Sequence, residues 1–155
     1  MNKETKATQE SMYKYIYCNV WRRGVTVFIG TCEDLVKHVN KYFTHCTVQD
    51  LTSSINMHCN TLNYENNEVT ARTYSSDAGY FIVHLPKFSF TYDAEELASL
   101  SHELLHATHA LLDFLGVEYR YGGANEPYTY TFEYLLREAL NKKGYKKVKW
   151  YEWLE

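Results

Sequence analysis

The feature that most constrains this fold is a helical pattern between residues 93 and 116. Asp93, followed three residues later by Glu96, is typical of a helix N-terminus, and Gly116 is typical of a helix end. At about 100° per residue, a set of mostly apolar side chains falls on one narrow stripe: Leu97, Leu100, Leu104, Thr108, Leu111 and Leu115. We expect this stripe to face the core.

The opposite face of the same helix carries His102, His106, His109 and Asp113, and the first two of these histidines bound the run His102-Glu103-Leu104-Leu105-His106. Histidines four residues apart lie one helical turn apart, so both imidazoles can reach one zinc ion at about 2.0–2.1 Å. Glu103 follows the first histidine directly, where its carboxylate can accept a proton from water beside the metal. The motif therefore predicts one zinc ion and a hydrolytic site.

The rest of the chain predicts a single α+β domain over residues 13–155 behind a flexible tail, residues 1–12. The segments 13–20 and 25–29 predict a β-hairpin, and Thr31 with Asp34 predicts the cap of a following helix. Residues 44–60 give mixed signals that fit either a short helix or a loop. A second antiparallel hairpin is expected from 69–74 and 79–85, and the HExxH helix is expected to pack with a last helix that starts at Asn125.

The last helix opens with Asn125-Glu126, twenty residues beyond His106. Here the sequence resembles the gluzincin metallopeptidases, such as the thermolysin family, whose second active-site helix supplies a glutamate ligand from an Asn-Glu pair. The resemblance covers residues 93–140 and implies a minimal zincin-like domain, with His102, His106 and Glu126 as zinc ligands and Glu103 as general base. The chain is also similar to small HExxH proteins encoded by bacteriophages, in which a β-rich half precedes the two helices.

One position departs from the gluzincin pattern. Thermolysin-like gluzincins place an aspartate four residues beyond the ligand glutamate, and here that position is Tyr130. A carboxylate normally orients a ligating histidine. Asp113, which shares a face with the histidines, and Glu133, which shares one with Glu126, are the predicted replacements.

Further candidates for the site lie near the predicted ligands. His109, one turn beyond His106, could stabilise an oxyanion, bind substrate or serve as an alternative third ligand. A phenol can also donate a hydrogen bond to an oxyanion. Three tyrosines close to Glu126 are candidate donors, and the sequence does not favour one over the others: Tyr121, Tyr128 and Tyr130. By the resemblance, the strand 79–85 forms one wall of the cleft, while its His84 is expected to be a surface residue.

The expected function is that of a zinc metallopeptidase acting on a peptide or protein. Hydrolysis of another amide, such as a peptidoglycan crosslink, would suit the same chemistry. A rival interpretation is a non-catalytic zinc-containing binding protein or phage effector, in which a protein side chain fills the fourth zinc position. The oligomeric state is left open by the sequence.

Composition limits partners and location. The net charge of −3 gives no reason to expect a nucleic-acid partner, and no apolar run approaches the roughly 20 residues of a membrane span. The N-terminus lacks the pattern of a secretory signal, and no CxxC pair occurs, so free thiols in a reducing compartment are expected for Cys18, Cys32, Cys46 and Cys59. We therefore expect a cytoplasmic protein, which could be phage-encoded and act in a bacterial host.

Overall fold

The computed structural model describes residues 10–43, 45–64, 70–120 and 125–148, with the side chains of 45–47 and 60–64 left outside the description. The expected α+β class is confirmed, with four helices and a five-stranded sheet in these ranges. In chain order the elements are β1 Met12–Cys18, β2 Arg23–Ile29, α1 Cys32–Tyr42, α2 His45–Tyr64, β3 Arg72–Ser75, β4 Phe81–Leu85, α3 Ala94–Phe114, α4 Glu126–Leu140 and β5 Lys146–Lys147.

The sheet has the strand order β3-β4-β2-β1-β5. Strands β1 and β2 form an antiparallel hairpin, as do β3 and β4, so both predicted hairpins are confirmed. The two hairpins join through β2 and β4, which run parallel because the chain crosses over between them through the helical segment. As a consequence, β4 lies inside the sheet and β3 lies at its edge.

Each face of the sheet packs against a pair of helices. Alternate residues of the central strands point to opposite faces. On one face, Val27 and Val83 pack with Leu104 and other buried residues of α3 and α4. On the other face, Phe28 and Ile82 belong to a second cluster with α1 and α2. The fold is therefore a helix–sheet–helix sandwich whose best-buried strands are β2 and β4.

Local capping signals set the ends of two helices as expected. Thr31 accepts a hydrogen bond from the Asp34 backbone nitrogen at 3.2 Å, and Asp93 accepts one from the Glu96 nitrogen at 2.9 Å. Gly116, just beyond α3, has a φ of 74°, which favours glycine. Two residues of the predicted apolar stripe, Leu97 and Leu115, are half-buried. The other four are buried: Leu100, Leu104, Thr108 and Leu111. The prediction that this stripe faces the core is confirmed.

The structure decides one segment that the sequence left open and shifts one boundary. The undecided segment 44–60 lies almost wholly within the helix α2. The expected tail ends too late, because β1 starts at Met12 and the buried Ser11 side chain hydrogen-bonds to Asp34. Residues 1–9 of that tail lie outside the described ranges.

The expectation of four free thiols is wrong. Cys32 and Cys59 form a disulfide with their Cα atoms 6.5 Å apart, joining the start of α1 to α2. These cysteines are 27 positions apart, so only the packing of the two helices reveals the pair. Cys18 is free and buried, as expected, and the side chain of Cys46 is outside the description. The disulfide removes the support that free thiols gave to a reducing compartment.

Within the described ranges, the helices lack the combined length and apolar character that crossing a bilayer requires.

Candidate active site

The two motif histidines lie together on the exposed face of α3. His102 Nε2 and His106 Nε2 are 3.2 Å apart, and the ring centroids are 4.8 Å apart. Two nitrogen ligands bound at about 2.05 Å to a tetrahedral ion lie about 3.3 Å from each other. The separation of the two Nε2 atoms therefore fits two adjacent positions of one zinc ion.

Glu103 lies beside this pair with its side chain almost fully buried. The residue is 7 % exposed, and its Oε1 lies 3.9 Å from His102 Nε2. The Thr73 hydroxyl lies 2.8 Å from Glu103 Oε2 and 2.8 Å from the Glu103 carbonyl oxygen, so it can donate to either. Strand β3 thus holds one carboxylate oxygen while the other stays next to the histidines.

A pocket of about 460 Å³ opens beside Glu103 and His106, at the free edge of β3. Its volume is within the range of small-ligand sites. Helix α3, strand β3 with the residues before it, and helix α2 all contribute to its lining: His58, Thr70, Ala71, Arg72, Thr73, Ser75, Glu103, His106 and Ala110. The pocket can therefore admit a polar ligand to the candidate base.

Five polar residues of this pocket were not found from the sequence: His58, Thr70, Arg72, Thr73 and Ser75. Arg72 and Thr73 are successive residues of a strand, so their side chains leave opposite faces, and only the open edge brings both into one pocket. The Arg72 Nη1 lies 2.9 Å from His58 Nδ1. Burial lowers the pKa of His58, with the charge of Arg72 as a smaller cause in the same direction.

Glu126 is not brought into a ligand group with the two histidines. It is exposed at the first position of α4 and lines a different pocket, of about 560 Å³, with Cys18, Trp21 and Tyr130 among its neighbours. The first turns of α4 pack toward the β1–β2 turn, where the Trp21 indole donates to the Thr131 hydroxyl at 2.8 Å. In the part of the chain that the structure describes, no three His, Cys, Asp or Glu residues are grouped to hold a metal ion. Ligation by Glu126 stays a prediction.

His109 is exposed and contacts tyrosines rather than the histidine pair. Its ring centroid lies 4.9 Å from that of Tyr128 and 6.0 Å from that of Tyr119. Tyr128 is buried, and its hydroxyl donates to the Val117 carbonyl at 2.6 Å. Because the hydroxyl proton of Tyr128 is already donated to this carbonyl, it is not free to donate to an oxyanion, which argues against Tyr128 as the oxyanion donor.

Of the other predicted site residues, Tyr130 and Glu133 lie on α4 and Asp113 lies on α3. Tyr130 is 67 % exposed beside Glu126, and Tyr121 lies outside the described residues. The two carboxylates predicted to orient a histidine, Glu133 and Asp113, make other interactions. Glu133 pairs with Arg137, and the charge of Asp113 adds to burial in raising the pKa of Tyr128. Their roles as partners of the histidines stay predictions.

The expectation that His84 is a surface residue is wrong. Its side chain is fully buried, and its Nε2 lies 2.7 Å from the Gly30 carbonyl oxygen, to which it donates. Burial lowers the pKa of His84 to about 4, so the ring is neutral near pH 7. Because β4 pairs with a strand on each side, the free edge that borders the pocket belongs to β3.

No protein-family model, curated protein or solved structure matches this chain. The resemblance to gluzincins therefore rests on the motif residues alone. Any functional statement depends on the geometry around α3.

Proposed function

We propose that this chain is a zinc-dependent hydrolase, a small metallopeptidase that binds one zinc ion through His102 and His106 and uses Glu103 as general base. One observation carries the proposal. The two Nε2 atoms are 3.2 Å apart, the separation that two zinc ligands need, and a buried carboxylate oxygen lies 3.9 Å from one of them. Helix-surface histidines that served only solubility would need neither feature.

When bound, zinc supplies Lewis-acid chemistry, polarising a substrate carbonyl and making water acidic near neutral pH. Glu103, whose Oε1 lies 3.9 Å from His102 Nε2, would accept the proton of the attacking water and would pass it to the leaving amine. Thr73 would be a positioning residue in this scheme, because its hydroxyl fixes the orientation of the carboxylate when it donates to Oε2. The result would be hydrolysis of a peptide or protein substrate.

Glu126 is the proposed third ligand, in keeping with the gluzincin resemblance. It lies in the first turn of α4, and the adjoining residues 121–124 are outside the description. Ligation requires this turn to approach α3 when zinc binds. A Glu126→Ala variant that keeps full zinc content would remove Glu126 from the ligand set without affecting the histidine pair.

A second candidate is a non-catalytic zinc-containing binding protein, such as a phage effector. The observation in its favour is that Glu126 lines a pocket other than that of Glu103 and His106. The predicted cytoplasmic location also stays a proposal, and the Cys32–Cys59 disulfide argues against it because such bonds are rare in the cytosol.

Turnover by a Glu103→Gln variant separates the two candidates. The hydrolase proposal predicts that this variant binds as much zinc as the unmodified protein while peptide cleavage falls by about 100-fold or more, because the amide cannot accept the proton. Glu95→Gln is the matched control, since Glu95 is an exposed glutamate on the same helix, and it should cleave normally. An unchanged rate in Glu103→Gln would contradict the catalytic role.

A further inference from the structure

The pocket next to Glu103 contains a cation that the proposed hydrolysis does not use. Arg72 is the first residue of β3, is exposed, and lines this pocket together with Glu103 and His106. None of the ion pairs found among residues 10–43, 45–64, 70–120 and 125–148 includes Arg72. Within those ranges its guanidinium is outside ion-pair distance of every carboxylate, and it lines the pocket from an exposed position.

Two contacts hold the Arg72 guanidinium in place. Its Nη1 lies 2.9 Å from His58 Nδ1, and because a guanidinium only donates hydrogen bonds, Nδ1 must accept. The guanidinium carbon also lies 6.0 Å from the centre of the Tyr74 ring, at the limit of a cation–π contact. A cation that is already oriented loses less conformational freedom when it binds a ligand.

His58 is itself fixed from another direction. It precedes Cys59, whose disulfide to Cys32 ties this part of α2 to the start of α1. The turn of α2 that carries His58 is therefore tied covalently to α1, and the histidine that contacts Arg72 lies on this tied turn. The geometry favours a role in recognition.

We propose that Arg72 binds a substrate carboxylate in this pocket, so that the protein selects peptides with an acidic side chain or a free C-terminal carboxylate near the bond that is cleaved. Planar guanidinium and carboxylate groups pair through two parallel hydrogen bonds, which makes arginine the side chain best suited to this ligand. The inference rests on the proposed function for the cleavage step. Recognition of the carboxylate does not require zinc.

Binding is therefore measured on protein from which metal has been removed by dialysis against a chelator, so that turnover plays no part. Three peptides serve as probes: acetyl-Ala-Ala-Glu-Ala-Ala-amide, its Gln counterpart with an amide end, and the same Gln peptide with a free carboxylate end. We expect the first or the third to bind about tenfold or more tightly than the neutral peptide, as expected for a hydrogen bond between charged groups. The stronger of the two identifies the source of the carboxylate.

Variants of Arg72 test whether this preference comes from the pocket. Arg72→Gln should lose the preference, and Arg72→Lys should keep only part of it, because it retains the charge and loses the planar fork. Arg120→Gln is the matched control, since Arg120 is an exposed arginine that pairs with Glu118, and it should bind like the unmodified protein. Equal binding of all three peptides, or a preference that survives in Arg72→Gln, would overturn the proposal.

Cleavage assays on the zinc-loaded protein then separate this inference from the proposed function. A carboxylate preference that depends on Arg72, without cleavage of any peptide, would support the binding site and contradict the hydrolase. Cleavage of all three peptides at equal rates, unchanged in Arg72→Gln, would support the hydrolase and contradict the binding site.

Discussion

The Cys32–Cys59 disulfide gives a stability prediction whose size follows from its position. The bond joins residues 27 positions apart. A cross-link that closes a loop of this length restricts the unfolded chain by about 12 cal/mol/K, which corresponds to about 3.5 kcal/mol at 25 °C. Replacing both cysteines by alanine, which adds no polar group to the buried site, should lower the free energy of unfolding by about that amount.

Thermal unfolding followed by circular dichroism measures the loss. For a domain of this size, about 3.5 kcal/mol corresponds to a fall in Tm of roughly 10 °C. Treatment of the unmodified protein with a reductant should lower Tm similarly and expose two more titratable thiols after denaturation. The same reductant should leave the Tm of the double alanine variant unchanged, which controls for effects on the remaining cysteines.

Two results would refute the reasoning. If the reductant releases no additional thiols from the unmodified protein, the two cysteines are not paired. If the thiols are released but Tm stays constant, the bond exists and the entropic account of its contribution is wrong, because the unfolded chain is then not restricted by the cross-link.

Burial lowers the pKa of both His38 and His84 from 6.5 to about 4, so the unfolded chain takes up protons at a higher pH than the folded protein. Their contribution to stability should be complete above pH 6.5 and be lost as the pH falls toward 4, by up to about 3 kcal/mol for each histidine. Urea unfolding at a series of pH values tests this, and a flat profile across the window would contradict neutral burial. Leu104→Ala should cost about 2–5 kcal/mol in the same assay because its side chain is fully buried, whereas exposed Leu105→Ala should cost under about 1 kcal/mol; equal losses would contradict the assigned core face.

The elements that the sequence predicts well are those whose signals are local. In α3, the Asp93 cap, the apolar stripe and Gly116 lie within one segment, so periodicity and capping agree. Helix α2 lacks such agreement, because its three described core residues, Leu51, Ile55 and Cys59, are separated by mostly polar positions. Packing against the sheet and the link through Cys59 involve residues distant in sequence, which no local pattern reveals.

The same distinction divides the candidate site. The histidine pair and Glu103 share one helix, so their relative placement follows from helical geometry alone. Thr73 and Arg72 enter the site because β2 pairs with β4, which leaves β3 at the edge. Strand pairing across a crossover is a non-local choice, so no local pattern in the sequence could test the cleft wall that the resemblance implied for the strand of His84.

Zinc content per chain tests the central claim most directly. Purified protein supplied with zinc and dialysed should retain about one ion per chain, measured by elemental mass spectrometry. The proposal predicts that His102→Ala loses most of this zinc, that Glu126→Ala loses it in part or fully, and that Glu103→Gln retains it. An unmodified protein that retains no zinc would contradict the claim that His102 and His106 form a metal site.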